Sequence, residues 1–200
     1  MFARTERLLL RPGFAEDAAA VTGAIADEAV VRNLAQAPWP YGQDDAAAWL
    51  AMEQHPLLPS FLMVKRTTAT PHIIGAIGIH MVEDEDGTQR PEIGYWLARR
   101  YWGLGFATEA GRAVIEIART NGLPPLQAGH FIDNPASGGV LRKLGFRPTG
   151  RIVPRYSRAR GSHVPCALFE QAGEDAMGDA VTAKRPWNED HRETIRLMAA

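Results

Sequence analysis

Arg100-Tyr101-Trp102-Gly103-Leu104-Gly105-Phe106-Ala107-Thr108 lies between a strand-like run, Glu92 to Leu97, and a helix-like run, Phe106 to Thr120. Two glycines at such a junction leave backbone N–H groups unobstructed at the mouth of a helix. There the helix dipole is positive and an anion is stabilised. The stretch therefore reads as a phosphate cradle.

Downstream, Ala110, Ala113, Val114, Ile117 and Ala118 form a 3.6-residue stripe that ends at Asn121-Gly122, a left-handed stop followed by Pro124-Pro125. Leu126 to Ile132 reads as a strand. Strand, helix and strand make a βαβ unit, so its two strands are expected to be parallel with a right-handed crossover. Asp133-Asn134-Pro135 opens a helix over Ala136 to Leu144. Two more strands follow, Phe146 to Val153 and His163 to Gln171, separated by an arginine-rich loop over Arg155 to Gly161.

Upstream, Thr5 to Arg11 reads as a first strand, stopped by Pro12-Gly13, and Ala15 to Ala26 as a helix. A second helix spans Gln43 to Gln54, with Ala46, Trp49, Leu50 and Met52 on its apolar face. Ser60 to Arg66 and Ile73 to His80 are the next strands, and the acidic turn Glu83 to Gly87 reads as a solvated hairpin tip. The expected fold is α/β (α+β): a mixed, mostly antiparallel twisted sheet of about seven strands around a central parallel βαβ unit, with flanking helices. Residues 1–171 form one domain. Residues 172–200 form a small, polar, glycine-containing tail in which Ile195, Leu197 and Met198 suit a short docking helix.

At 200 residues and 46% hydrophobic content, one compact domain can bury a sizeable core. The net charge of −1 gives no electrostatic case for nucleic acid or an anionic membrane surface. Cys166 is the only cysteine, which suits a reducing, cytoplasmic setting, and no apolar run approaches the roughly 18 residues of a membrane span. His55, His72, His80, His130, His163 and His191 have no metal-ligand spacing, so no metal is expected.

Arg100-x-x-Gly103-x-Gly105 resembles the acyl-CoA pyrophosphate motif of the GCN5-related N-acetyltransferase (GNAT) superfamily. Thr5 to Pro12, Glu92 to Leu97, Trp102 to Ala110, and Asn134 to Ser137 with Leu144 to Phe146 are similar to its Rim-type ribosomal-protein N-terminal acetyltransferases. The resemblance runs from Thr5 to Gln171. It implies the GNAT fold, acetyl-CoA as the cofactor, CoA as product, no metal, and transfer of acetyl to an amine acceptor, a peptide N-terminus or a small molecule. Homodimerisation is left open.

The resemblance also implies site residues. Backbone groups of Gly103, Leu104, Gly105, Phe106, Ala107 and Thr108 receive the pyrophosphate, with Arg100 supplying charge. Trp96, Leu97 and Ala98 occupy the strand edge that pairs with pantetheine and offers an oxyanion donor. Asn134 matches the asparagine that bonds the pantetheine arm, and by its position also suits a helix cap. Ser137 matches the serine that protonates the leaving thiolate, since Leu141 stands where other members carry a tyrosine. Glu92 is the catalytic base, directly or through water. The segment that carries a further carboxylate in Rim-type enzymes offers Tyr156 among Arg151, Arg155, Arg158 and Arg160 instead. These arginines suit an acidic peptide, the cofactor's 3′-phosphate or solvent. His80 and His130 could border the amine pocket, and Trp39, Tyr41 and Trp49 either line the acceptor groove or fill the core. Two rival readings stand beside this one. A non-catalytic acyl-CoA sensor would keep the same fold. A Rossmann domain is weakened by Thr108 at the third glycine position and by Ala98 to Trp102 intervening before the first.

Overall fold

The computed structural model describes residues 1–66, 72–84 and 87–171. Eight strands make one sheet: β1 (Ala3–Arg4), β2 (Leu8–Arg11), β3 (Ser60–Lys65), β4 (His72–Glu83), β5 (Gln89–Leu97), β6 (Gln127–Phe131), β7 (Phe146–Ser157) and β8 (Ser162–Gln171). Their order is β1-β2-β3-β4-β5-β6-β8-β7. Five α-helices accompany them: α1 (Ala18–Ile25), α2 (Glu28–Val31), α3 (Gln43–Leu50), α4 (Phe106–Thr120) and α5 (Pro135–Lys143). Among the described residues no helix is long and apolar enough to cross a membrane.

The period-two alternation of the strands sorts side chains to two layers. On β3, Phe61 and Met63 join a core built with α4 and α5. Leu62 and Val64 join a second core with α1, α2 and α3. Helix α4 contributes Phe106, Ala107, Ala110, Val114 and Ala118 to the first layer, one face of a 3.6-residue repeat. It stops as the Asn121-Gly122 pair predicts. Gly122 has φ 76°, and Leu123 N–H reaches the Ala118 carbonyl at 3.0 Å.

Every strand pairing is antiparallel except β5–β6. That parallel ladder consists of one register pair, Glu92 with Gln127. Beyond it the strands diverge, leaving a wedge toward Leu97. Because β5 and β6 run the same way, their C-terminal ends and the N-termini of α4 and α5 that follow them lie at the same, open end of the wedge.

Three elements differ from the sequence expectation. The first strand is split: Thr5 N–H and Oγ1 bond the Leu8 carbonyl at 3.0 and 3.4 Å, turning the chain at Glu6-Arg7 and folding β1 back on β2. This adds the eighth strand. Helix α2 is one turn, capped by Asp27 Oδ1 on Ala29 N–H at 2.9 Å, too short for a periodic signal. β7 runs to Ser157, so Arg155 to Ser157 of the expected arginine-rich loop are strand. Pro148 and Pro154 suggest a break, but β7 is the sheet's last strand, and an edge tolerates proline. The tail helix over Ile195 to Met198 lies outside the described residues.

Candidate active site

The glycine junction has the backbone that a cradle needs. Gly103 and Gly105 have φ 72° and 82°, left-handed values that carry a steric cost for any residue with a Cβ, and Gly105 is the N-cap of α4. The first helical bond runs from Glu109 N–H to the Gly105 carbonyl at 3.0 Å, so the amides of Phe106, Ala107 and Thr108 precede the intrahelical ladder.

The β1–β2 turn clamps this helix mouth. Glu109 Oε1 accepts from Thr5 Oγ1 at 2.6 Å and from Arg7 N–H at 2.8 Å, while Oε2 accepts from Arg7 Nε at 2.6 Å. Arg7 Nη1 donates to the Leu104 carbonyl at 3.0 Å, and its guanidinium lies 4.3 Å from the Phe106 ring centroid. Desolvation would raise the Glu109 pKa, but the hydrogen bonds from Thr5 and Arg7 and the Arg7 charge hold it below the ordinary value. A cleft of about 310 Å³ opens beside Gly105, lined by Glu6, Arg7, Thr108, Glu109, Arg112 and Lys143. Arg7, Arg112 and Lys143 thus supply positive charge here. Arg100, the cation chosen from sequence, does not line this cleft; it lies in the turn before the glycines with its guanidinium 5.1 Å from the Tyr101 ring centroid.

At the wedge, Ala98 N–H donates to the Ile74 carbonyl on β4 at 2.9 Å, while the Leu97 carbonyl turns the other way and accepts Trp102 Nε1 at 2.7 Å. Alternation along β5 therefore aims the backbone groups of Tyr95 and Leu97 into the wedge. The Ala98 amide is already spent on β4. The Trp96 side chain is half-buried and packs against both core layers.

Across the wedge, Asn134 caps α5, its Oδ1 accepting from Ser137 N–H at 3.4 Å, with Pro135 in the first turn. The cap engages only Oδ1 and leaves Nδ2 out of the bond, so capping and binding are compatible at one side chain. Ser137 Oγ lies 2.8 Å from the Tyr95 hydroxyl. Burial pushes the Tyr95 pKa up to about 12 against the opposing effect of the Ser137 bond, so the phenol stays protonated. A tyrosine does serve this helix, reaching it from β5 and not from position 141; Leu141 is buried core. Sequence reasoning missed Tyr95, although its place in the Glu92–Leu97 run set it on the opposite face from Glu92.

Glu92 is 4% exposed. Arg155, from β7, binds both its oxygens, Nη1 to Oε1 and Nη2 to Oε2, each at 2.5 Å. The guanidinium crosses the sheet over Gly129 on β6. A Cβ there would stand 3.2 Å from Nη1 and 2.8 Å from Cys166 Sγ. His80 is Glu92's cross-strand neighbour, with Nε2 3.9 Å from Oε1. The other arginines of this region also have protein partners: Arg160 with Asp133 at 2.7 Å, Arg158 with the Gln36 carbonyl at 3.4 Å and Arg151 with Asp84 at 3.2 Å. His130 packs beneath Gly138, and Tyr41 and Trp49 belong to the second core while Trp39 is 41% exposed. Among the described residues no cluster of three metal-ligating side chains occurs.

A mixed sheet split at one parallel pair, with a glycine-capped helix at the mouth of the split, defines the class of α/β fold. The acetyltransferase (GNAT) domain family matches residues 7–147, and the chain belongs to that family. The protein named uncharacterized N-acetyltransferase p20, of Bacillus licheniformis, is 33% identical over 110 residues, 54% of this chain and 60% of that one. Less than two thirds of p20 is therefore matched. Uncharacterized N-acetyltransferase YoaA, of Bacillus subtilis, is 29% identical over 164 residues, 79% of this chain and 89% of that one. Among solved structures, RimL, the ribosomal L7/L12 alpha-N-protein acetyltransferase in complex with coenzyme A, shares the fold with a TM-score of 0.68. It is 16% identical, covering 87% of this chain and 99% of that chain.

Proposed function

We propose that this chain transfers acetyl from acetyl-CoA to a primary amine, with the α-amino group of a protein or peptide as the acceptor. The observation that carries the reading is the wedge between β5 and β6, with the Gly103–Gly105 cradle and the Tyr95–Ser137 pair at its open end. The donor set fits the cofactor's chemistry: amides at a helix N-terminus beside Arg7, Arg112 and Lys143 suit a phosphate-bearing anion. RimL's coenzyme A complex and its α-amino substrate support the cofactor and the acceptor class.

Bound acetyl-CoA would supply an activated acyl group on a thiol leaving group. The amides from Leu104 to Thr108 hold its pyrophosphate, and the Asn134 side chain bonds the pantetheine arm. Leu97 N–H serves as oxyanion donor in the wedge, flanked by Trp96. Ser137 Oγ–H would give its proton to the leaving sulfur, and the proton would be replaced from solvent through the Tyr95 hydroxyl, which ends protonated. Glu92 lies on the opposite face of β5, the side from which the acceptor amine would enter. At neutral pH an α-amine, with a reference pKa of about 7.7–8.0, is neutral some hundreds of times more often than lysine at about 10.4. An α-amino acceptor therefore needs less help in losing its proton.

Thiol release measured with acetyl-CoA across N-terminal peptides, polyamines and aminoglycosides tests the reading. Turnover is expected with peptides at far higher kcat/KM than with small amines. Cofactor binding without thiol release from any amine would favour an acyl-CoA sensor and overturn the proposal.

A further inference from the structure

We propose that His80 receives the proton from the acceptor amine and that Glu92 and Arg155 are positioning residues for it. The inference rests on the acetyltransferase reading above and changes the role that family resemblance gives Glu92. Access decides between the two side chains. The Glu92 carboxylate is 5% exposed and both its oxygens are held by Arg155, so an amine reaches it only by displacing the guanidinium. The His80 side chain is 59% exposed.

The ring's orientation fits a proton acceptor. Nε2 faces the Glu92 carboxylate at 3.9 Å. The opposite edge lies over Gly94, where a Cβ would stand 3.4 Å from Cε1 and 3.8 Å from Nδ1. Gly94 pairs with Gly78, so the rung between His80–Glu92 and Ala76–Trp96 carries no side chains. Pro59 and Ser60 cover the Gly78 side of that rung, and the His80 ring lies over the Gly94 side. His80, Glu92, Gly94 and Trp96 share one sheet face and Tyr95 lies on the other. Proton acceptor and proton donor thus flank the strand edge from opposite sides. The amine nitrogen enters on one side and the sulfur leaves on the other.

The charges around the ring are consistent with this role. Desolvation and the Arg155 guanidinium lower the His80 pKa against the pull of Glu92. Arg155 in turn is faced by Glu92, buried Cys166 and Asp84, and Asp84 also pairs with Arg90 and Arg151. The step balances. The amine lone pair forms the C–N bond and the C–S bond breaks. Sulfur takes the electron pair and the Ser137 proton, and the nitrogen's surplus proton passes to Nδ1 and from there to water. The transient imidazolium is stabilised by Glu92.

The test is thiol release by His80→Ala, with and without added imidazole, alongside Glu92→Gln. His80→Ala is expected to lose about 10²–10⁴-fold in kcat. Acceptor KM should change by less than about threefold and CoA affinity should hold. Exogenous imidazole should restore part of kcat, which a purely structural role would not allow. Glu92→Gln is expected to lower kcat about tenfold and to shift the acid limb of the pH–rate profile. Wild-type turnover that survives His80→Ala, or a loss that imidazole does not rescue, overturns this proposal alone. Wild-type protein that binds acetyl-CoA yet releases no thiol overturns it together with the acetyltransferase reading.

Discussion

Arg155→Met tests whether the sheet is held together at the paired end of β5 and β6 by an ion pair. The native pair joins β5 to β7 over β6 and β8, with Glu92 5% and Arg155 23% exposed and two contacts of 2.5 Å. Removing the guanidinium leaves a carboxylate in a site closed to water. Breaking a buried pair from one side costs about 3–5 kcal/mol. Arg155's partial exposure places this case at the lower end, about 3 kcal/mol. For a domain of this size each kcal/mol moves Tm by about 2–4 °C, so a fall of roughly 6–12 °C is expected by circular dichroism. Replacing both partners, Glu92→Leu with Arg155→Met, removes the stranded charge and should recover most of the loss. A single variant within about 1 kcal/mol of wild type, or a double variant no better than the single, would refute the reasoning.

Tyr95→Phe removes one hydrogen bond of roughly 1 kcal/mol to Ser137 and should lower kcat about three- to tenfold with little change in CoA affinity. The folded pKa of Tyr95 is raised to about 12 from 10.0, so the protein's stability from this group is fully present below pH 10 and lost as pH rises through 12. Phenolate absorbance should show it ionising late, and the phenylalanine variant should show a shallower alkaline loss. Glu109, Asp17 and Asp133 have lowered folded pKa values, so their contribution is present above the ordinary carboxylate range and lost as pH falls through the lowered ones. Thermal stability should therefore fall steeply below about pH 4, after a smaller loss that begins below about pH 6.5, where His80, also lowered in the folded state, takes up a proton more readily in the unfolded chain. Glu109→Gln should reduce that acid slope and weaken CoA binding by loosening Arg7; an unchanged slope would contradict the assignment.

What could be read in the sequence was local. Gly103 and Gly105 announce a helix mouth because φ > 0 is a property of single residues, and Asn134-Pro135 announces a cap by the same logic. The apolar stripe of α4 and the run of β5 follow from periodicity. The pairings that complete the site are long-range. Arg155 meets Glu92 across 63 positions and Arg7 meets Glu109 across 102. They depend on the sheet order, which places β8 between β6 and β7, and on the split first strand that turns Arg7 toward α4. Periodicity gives a side chain's face and says nothing of which strand lies next to it. For the same reason the sequence singles out Arg100, near the glycines, and does not reveal that Arg7, Arg112 and Lys143 line the cleft beside Gly105 with Glu6 and Glu109. β7 runs past Val153 to Ser157 because it pairs with β8 as far as Ser157–Ser162, a pairing that periodicity does not reveal.

The central claim is that the glycine-capped mouth of α4 binds the phosphates of acetyl-CoA. Calorimetric titration of the wild-type protein and Gly105→Ala with acetyl-CoA, CoA and NAD tests it most directly. An alanine at φ 82° costs about 1–2 kcal/mol. If relieving that strain moves the amides off the phosphates, affinity for both CoA compounds should fall about 5–30-fold, with NAD giving no heat in either protein. Absence of acetyl-CoA binding to the wild type, or an unchanged affinity and stability in Gly105→Ala, would contradict it.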